Sequence, residues 1–152
     1  DIAVRLVTQG GAALCLDYGH ARSGLGETLQ AVRRHAFMDP LAVPGEADLT
    51  VHVDFAAIAQ TARAAGARVH GPMTQGAFLD ALGIRARAAV LARNASADAR
   101  IGIEAALNRL TGTGEGQMGD LFKVLGVSHP ALTALPALPA APPQAVEDSA
   151  RC

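Results

Sequence analysis

The distribution of apolar and turn-forming residues predicts alternating helices and strands. Residues 2–8 have the pattern of the last turns of a helix, which Gly10 and Gly11 end. The continuous apolar run at 12–16 lies between turn residues and predicts a strand buried on both faces, as in a parallel sheet. A helix is expected to begin near Asp54, where an acidic residue precedes apolar positions at helical spacing.

The second half of the chain continues this alternation. The segment "RVHGPM" predicts a strand that ends at Pro72, and the helix after it has Thr74 as N-cap and Gly83 at its end. Residues 84–110 predict two helices, broken near 94–98, and "LFKVLGVS" predicts a strand. Strands that alternate with helices predict an α/β fold. Because three strands are too few for a complete open sheet, we expect the C-terminal part of a longer fold.

Two segments lack clear periodicity. Residues 18–50 contain glycines, prolines and several charges, which predicts a long irregular segment with a short helix around 28–34. The end of the chain is rich in Ala and Pro, so we predict a domain at 1–130 followed by a disordered tail at 131–152.

Composition narrows the classes of partner. The 152 residues are 50% apolar with a formal net charge of −1, and the basic residues are dispersed, so a nucleic-acid partner is not favoured. No apolar run reaches about 18 residues, so no membrane span is expected. Cys15 and Cys152 are too few for a disulfide framework. We interpret them as a buried thiol and a tail thiol, which suits a reducing compartment.

The first predicted strand is followed by Asp17, Tyr18, Gly19 and His20. In open α/β sheets, ligands bind beyond the carboxyl ends of the strands, so these residues are candidates for a functional site. The alternative is an ordinary turn in which Asp17 caps a neighbouring backbone N–H group.

The segment after this strand supplies more acidic and imidazole side chains. They are further candidates for the site, although solvated loop charges are the alternative interpretation, and Asp54 can also cap the predicted helix. No pair of these histidines has the spacing of a zinc motif, so no metal site is predicted. These candidates are Glu27, His35, Asp39, Glu46, Asp48, His52 and Asp54.

The stretch "GTGEGQMG" contains Gly114, Gly116 and Gly119 at the spacing of a dinucleotide-binding motif. That motif requires a strand before it and a helix after it, whereas in this chain a predicted helix precedes and a predicted strand follows. We therefore predict a flexible turn and no cofactor loop at this position.

A long run of ordered motifs resembles the MidA-like family of S-adenosylmethionine-dependent methyltransferases. The resemblance covers about residues 5–127. The matching motifs are Asp17 to His20, Thr28 to Gln30, His35, Asp39 to Leu41, Pro44 to Thr50, Val53 to Phe55, "GPMTQGAFLDALGI" at 71–84 and "MGDLFKVL" at 118–125.

The resemblance implies a class I methyltransferase (Rossmann-like) fold, of which this chain would supply the last three strands, the final one antiparallel. It implies S-adenosyl-L-methionine as cofactor, held by a glycine-rich loop and an acidic residue of an N-terminal half that lies outside this chain. The chain is therefore expected to be inactive on its own. The implied reaction is methylation of a protein arginine on a respiratory complex I subunit, in the cytoplasm of a bacterium or the mitochondrial matrix of a eukaryote.

A guanidinium substrate pairs well with carboxylates, which assigns roles to the candidate residues under this resemblance. The expected catalytic residues are Asp17, Asp54, His20 and Tyr18, and the expected substrate-binding residues are Glu46, Asp48, His52 and His35. The alternative function is a non-catalytic interaction or assembly module that lacks cofactor binding, and self-association into a homo-oligomer stays open.

Overall fold

The structure of the chain is a computed structural model that describes residues 1–139. Within this range the chain forms five helices and seven strands, which build two separate β-sheets. In chain order they are α1 (Ile2–Gln9), β1 (Ala12–His20), β2 (Gln30–Arg33), β3 (Ala36–Met38), β4 (Asp48–Thr50), β5 (Val53–Asp54), α2 (Phe55–Ala64), β6 (Arg68–Thr74), α3 (Gln75–Ala81), α4 (Ile84–Ala92), α5 (Ala97–Thr111) and β7 (Phe122–Ser128).

The larger sheet has the strand order β5-β1-β7-β6. The last strand, β7, lies between β1 and β6 and is antiparallel to both, with a continuous register from Ala12 opposite Ser128 to Tyr18 opposite Phe122. The short β5 is parallel to the end of β1. The α/β class and the antiparallel final strand are therefore confirmed.

The two faces of this sheet carry separate apolar cores. Side chains of a strand alternate between faces, so Leu125 and Val127 of β7 pack with α1 and α2, around the fully buried Phe55. Val124 points to the other face and packs with Phe78 of α3. No helix within residues 1–139 combines the length and apolar character needed to cross a bilayer.

The predicted starts of two helices are confirmed by N-cap hydrogen bonds. Asp54 accepts a hydrogen bond from Ala57 N–H at 3.0 Å, and Thr74 accepts one from Ala77 N–H at 3.3 Å. The predicted break at 94–98 is present, and Ser96 caps α5 there. These side chains satisfy N–H groups that a helix cannot bond internally.

The predicted burial of residues 12–16 on both faces is wrong in this structure. Leu14 and Leu16 are 47% and 45% exposed. One edge of β1 is paired with β7 along residues 12–18, but at the other edge the described residues pair only at Gly19 and His20. Cys15, expected to be buried, is only partly covered. The strand also extends beyond the apolar run and ends at His20.

The prediction of a short helix around 28–34 is also wrong. This segment contains β2, the central strand of the second sheet, which has the order β3-β2-β4. Arg34 and His35 connect β2 to β3 and both have positive φ, at 51° and 65°. Two such residues between paired strands form the tight hairpin turn that Asn-Gly usually signals, so the sequence carries no common marker for it.

The predicted disordered tail begins too early. Residues 135–138 fold back onto the sheet, where Leu138 is buried beside Phe78 and Val124. Gly71 N–H donates a hydrogen bond to the Pro139 carbonyl at 3.1 Å. The disorder predicted for 140–152, and the tail thiol Cys152, lie outside the described residues.

Gly19 is required where β5 meets β1. A Cβ at this position would lie 2.2 Å from the Val53 carbonyl oxygen and 2.9 Å from the Val53 nitrogen. Both contacts are with backbone atoms, which cannot rotate away. The glycine therefore allows the parallel approach that places β5, and the start of α2, against the end of β1.

His70 and Ser128 form a fully buried polar pair on β6 and β7. The Nε2 of His70 lies 2.9 Å from the Ser128 hydroxyl, which also lies 3.3 Å from the His129 carbonyl. The hydroxyl can donate to that carbonyl while it accepts from His70 Nε2–H, which leaves Nδ1 without a partner among the described residues. Burial and the charge of Arg68 lower the pKa of His70.

We expect Gly19→Ala to destabilise the chain by about 1–3 kcal/mol, because the added methyl group displaces β5. The control is Gly102→Ala in α5, where a Cβ would meet nothing within 4 Å and the change removes a helix-disfavouring glycine. Chemical denaturation measures both free energies of unfolding. Equal effects of the two substitutions would contradict the requirement for glycine at position 19.

The buried His70 predicts a loss of stability in mild acid. In the unfolded chain this imidazole binds a proton near its ordinary pKa of 6.5, whereas the folded chain binds it only at lower pH. The free energy of unfolding should therefore fall as pH decreases below 6.5, with a contribution of at most about 1.4 kcal/mol per pH unit. Urea denaturation between about pH 5 and pH 8 measures this slope.

The variant His70→Gln isolates this contribution, because glutamine retains an N–H donor for Ser128 and does not titrate. Its unfolding free energy should depend less steeply on pH than that of the unmodified chain. The same slope in both proteins would exclude His70 as the source.

Candidate active site

Five side chains converge where β1 ends and β5 begins. The Nε2 of His20 lies 3.8 Å from Asp54 Oδ2. The ring centroid of Tyr18 lies 5.8 Å from that of His52 and 5.7 Å from that of Phe122, both in edge-on geometry. We name this group, formed by Tyr18, His20, His52, Asp54 and Phe122, the strand-end cluster.

Strand geometry explains how the cluster forms. Tyr18 and His20 are two residues apart in β1, so their side chains share one face. The parallel register pairs His20 with Asp54, and the antiparallel register pairs Tyr18 with Phe122. Side chains opposite each other on adjacent strands are within contact distance. The cluster is therefore set by two different strand pairings that meet at the end of β1.

The two carboxylate oxygens of Asp54 have different neighbours. Oδ1 accepts the Ala57 N–H that caps α2, and Oδ2 faces His20. The hydroxyl of Ser23, the Ala57 N–H and the nearby His20 lower the pKa of Asp54. At neutral pH Asp54 is therefore a carboxylate, held in place by the helix it caps and partly exposed to a ligand.

The aromatic rings give the cluster a second kind of surface. Edge-on contacts between rings are the favoured geometry for aromatic pairs, and they order Tyr18 from two sides. The rings are partly buried, so their remaining surface is accessible. The cluster therefore combines a carboxylate, two imidazoles and aromatic faces within one small region.

A loop at residues 21–29 covers one side of the cluster. The Thr28 hydroxyl accepts a hydrogen bond from His52 N–H at 3.2 Å. A cavity of about 220 Å³, open to solvent, lies between this loop and the end of β1. It is lined by His20, Arg22, Gly24, Leu25, Gly26 and Thr28.

The structure separates the remaining predicted site residues from this cluster. Asp17 is exposed, alternates to the opposite face of β1, and accepts a hydrogen bond from Tyr18 N–H at 2.8 Å. Glu46 forms an ion pair with Arg33 at 2.5 Å, and Asp48 lies opposite Val32 in β4. His35 lies in the β2–β3 turn. Glu46, Asp48 and His35 therefore belong to the second sheet and its connections.

The sequence interpretation missed three contributors to the site. Phe122 enters only through the antiparallel register of β1 and β7, and Thr28 and Ser23 only through the path of the loop. Thr28 is part of the family motif, which is the one available signal for it. Aromatic and hydroxyl residues at such positions have no distinctive pattern along the chain.

The glycine-rich turn at 112–119 connects α5 to β7, in the order predicted for a turn without a cofactor role. A Cβ at Gly119 would lie 2.3 Å from the carbonyl oxygens of Gly112 and Thr111. Gly119 therefore allows close contact between backbone segments, whereas the space around Gly116 is open. Among residues 1–139, no three His, Cys, Asp or Glu side chains converge as a metal-binding group.

Comparison with known proteins identifies related chains. A family model described as "Putative S-adenosyl-L-methionine-dependent methyltransferase" matches residues 1–73. The chain is 38% identical over 128 residues to the mitochondrial protein arginine methyltransferase NDUFAF7 homolog of Drosophila melanogaster. It is also 38% identical over 91 residues to the human mitochondrial protein arginine methyltransferase NDUFAF7.

Two solved structures from Burkholderia thailandensis share the fold. An uncharacterized protein has a TM-score of 0.72 and 31% identity, and covers 84% of this chain. A second protein, described as a "likely methyl transferase" and bound to S-adenosyl-homocysteine, has a TM-score of 0.69, 36% identity and the same coverage.

This chain spans only part of the length of its relatives. It covers 28% of the Drosophila protein and 20% of the human protein. It covers 36% and 34% of the two B. thailandensis chains. The sequence and structural matches nevertheless agree with each other and with the motifs of the sequence. Over the part of their length that it spans, the chain is therefore similar in sequence and fold to S-adenosyl-L-methionine-dependent methyltransferases.

Proposed function

We propose that the chain is part of an S-adenosyl-L-methionine-dependent methyltransferase that methylates a protein arginine. The observation that carries this proposal is the strand-end cluster, in a chain whose relatives are named protein arginine methyltransferases. The B. thailandensis protein that is similar to this chain is bound to S-adenosyl-homocysteine, the product that remains after methyl transfer from this cofactor.

The strand-end cluster suits a guanidinium group. The Oδ2 atom of Asp54 can accept a charge-assisted hydrogen bond from a guanidinium N–H, while Oδ1 stays on the helix cap. The ring of Tyr18 provides an aromatic surface on which a planar cation can stack. These two interactions fix the orientation of the target nitrogen, and orientation supplies much of the catalysis in a direct displacement.

The transfer also requires the loss of a proton. A new N–CH₃ bond forms as the S–CH₃ bond of the cofactor breaks, and the nitrogen releases one N–H proton overall. The cofactor supplies the electrophilic methyl group. His20, whose Nε2 lies 3.8 Å from Asp54 Oδ2, can receive the proton because an imidazole nitrogen can act as a general base.

The described residues do not fit a complete cofactor site. The glycine-rich turn at 112–119 follows a helix and precedes a strand, the reverse of a cofactor loop, and its Gly119 lies against backbone carbonyl oxygens. We therefore assign the cofactor contacts to the part of the relatives that this chain does not cover. We expect this chain alone to transfer no methyl group.

The other predicted residues keep more distant roles in this proposal. Glu46, Asp48 and His35 lie on the second sheet, where they can contact the substrate protein away from the target arginine. Asp17 is proposed as a catalytic residue only on the basis of its motif. A complex I subunit as substrate, and a mitochondrial or bacterial cytoplasmic location, follow from the family resemblance.

A chimera tests the proposed reaction. This chain would replace the matching region of the B. thailandensis protein that binds S-adenosyl-homocysteine. Transfer of a labelled methyl group to an arginine-containing complex I peptide is then measured. We expect Asp54→Asn to lower the rate about 100-fold or more, because the carboxylate that orients the guanidinium is lost.

Asparagine is also a good N-cap, so this variant should retain α2 and its stability. Asp17→Asn is the matched comparison on the opposite face of β1. Loss of activity only in Asp54→Asn restricts catalysis to the strand-end cluster, and loss in both supports the motif-based role of Asp17. A chimera that binds S-adenosyl-homocysteine but methylates no arginine would contradict the proposal.

Binding to this chain alone tests the recognition of guanidinium. An arginine peptide should shift the NMR signals of Tyr18, His20 and His52, and a matched lysine peptide should bind about tenfold more weakly. Lysine carries a compact charge without the planar, stacking surface of a guanidinium. Equal affinities for the two peptides would show that the cluster does not select arginine.

A further inference from the structure

Thr28 occupies a defined place in the extension of the second sheet. In the antiparallel pair of β2 and β4, Gln30 lies opposite Thr50 and Ala31 opposite Leu49. Extending this register by two residues beyond Gln30 brings Thr28 opposite His52. At this position the side-chain hydroxyl of Thr28, rather than a backbone carbonyl, accepts the His52 N–H.

His52 lies between the two sheets. It follows β4, which belongs to the second sheet, and precedes β5, which belongs to the larger one. Among the described residues, the backbone of His52 is paired neither with β2 nor with β1. The Thr28 hydroxyl is the one described acceptor for the His52 N–H group. The orientation of His52 therefore depends on this single hydrogen bond more than on either sheet.

The two aromatic neighbours of Tyr18 are held by different means. Phe122 is fixed opposite Tyr18 by the ladder between β1 and β7. His52 reaches Tyr18 from a connecting segment without ladder pairing. A change at Thr28 should therefore move His52 and leave Phe122 in place.

We propose that Thr28 is a positioning residue, which holds the His52 imidazole edge-on against Tyr18 and so couples the second sheet to the active site. The consequence for arginine binding rests on the proposed function. His52 orders one side of the Tyr18 ring. The second sheet therefore contributes to substrate recognition through the Thr28–His52 hydrogen bond as well as through its own surface.

The test compares Thr28→Val, which has the same shape but no hydroxyl, with Thr28→Ser, which retains it. The first readout is the NMR contact between the ring protons of Tyr18 and His52. It should persist in Thr28→Ser and be lost in Thr28→Val, in which the His52 amide should also exchange faster with solvent. The Tyr18–Phe122 contact should persist in both variants and reports that the larger sheet is intact.

The second readout is the affinity for the arginine peptide, which should fall about two- to tenfold in Thr28→Val and recover in Thr28→Ser. A Tyr18–His52 contact that survives in Thr28→Val would overturn the positioning role, whatever the peptide does. If no variant, including the unmodified chain, binds the peptide, the proposed function fails while the ring contact still decides the role of Thr28. Thr28→Ala replaces Thr28→Val if the latter also loses the Tyr18–Phe122 contact.

Discussion

The parallel contact between β5 and the last two residues of β1 is the constraint on which the rest of the site depends. It is possible only because Gly19 presents no side chain to the Val53 backbone. This contact brings Asp54 beside His20 and sets the start of α2 in the same step. The first residue of that helix, Phe55, is fully buried in one of the two cores. A catalytic candidate and a core anchor are thus adjacent in sequence, so packing of the core fixes the geometry of the site.

The central position of β7 explains why so short a chain can hold this arrangement. As an antiparallel strand between β1 and β6, it supplies hydrogen bonds to both neighbours and apolar side chains to both faces. It also ends the paired region at Phe122, directly opposite Tyr18. The final strand in the sequence therefore both closes the sheet and completes the aromatic part of the cluster. Residues 135–138 then return over the same sheet and cover one face.

Asp54 shows how one residue serves stability and chemistry together. Its two oxygens are divided between the cap of α2 and the His20 side chain. The hydrogen bonds that lower its pKa are those that fix its orientation, so the charge is available without a rearrangement on ligand binding. The buried His70 has the opposite character, since burial suppresses its charge and removes it from solvent. The pKa of both groups is lowered, by hydrogen bonds at Asp54 and by burial at His70, and this leaves the carboxylic acid ionised and the imidazole neutral.

The sequence by itself determined the features that depend on residues close together along the chain. The N-caps at Asp54 and Thr74, the break between α4 and α5, and the position of the 112–119 turn after a helix and before a strand all follow from local hydrogen bonding and periodicity. The tertiary structure alone decided the exposed edge of β1, the hairpin at Arg34 and His35, and the contributions of Phe122 and Thr28. These depend on which strands pair and in which register, and such pairing joins residues that are distant in the chain. A local pattern can indicate a strand, but it cannot specify the partner that buries it or the side chain that lies opposite.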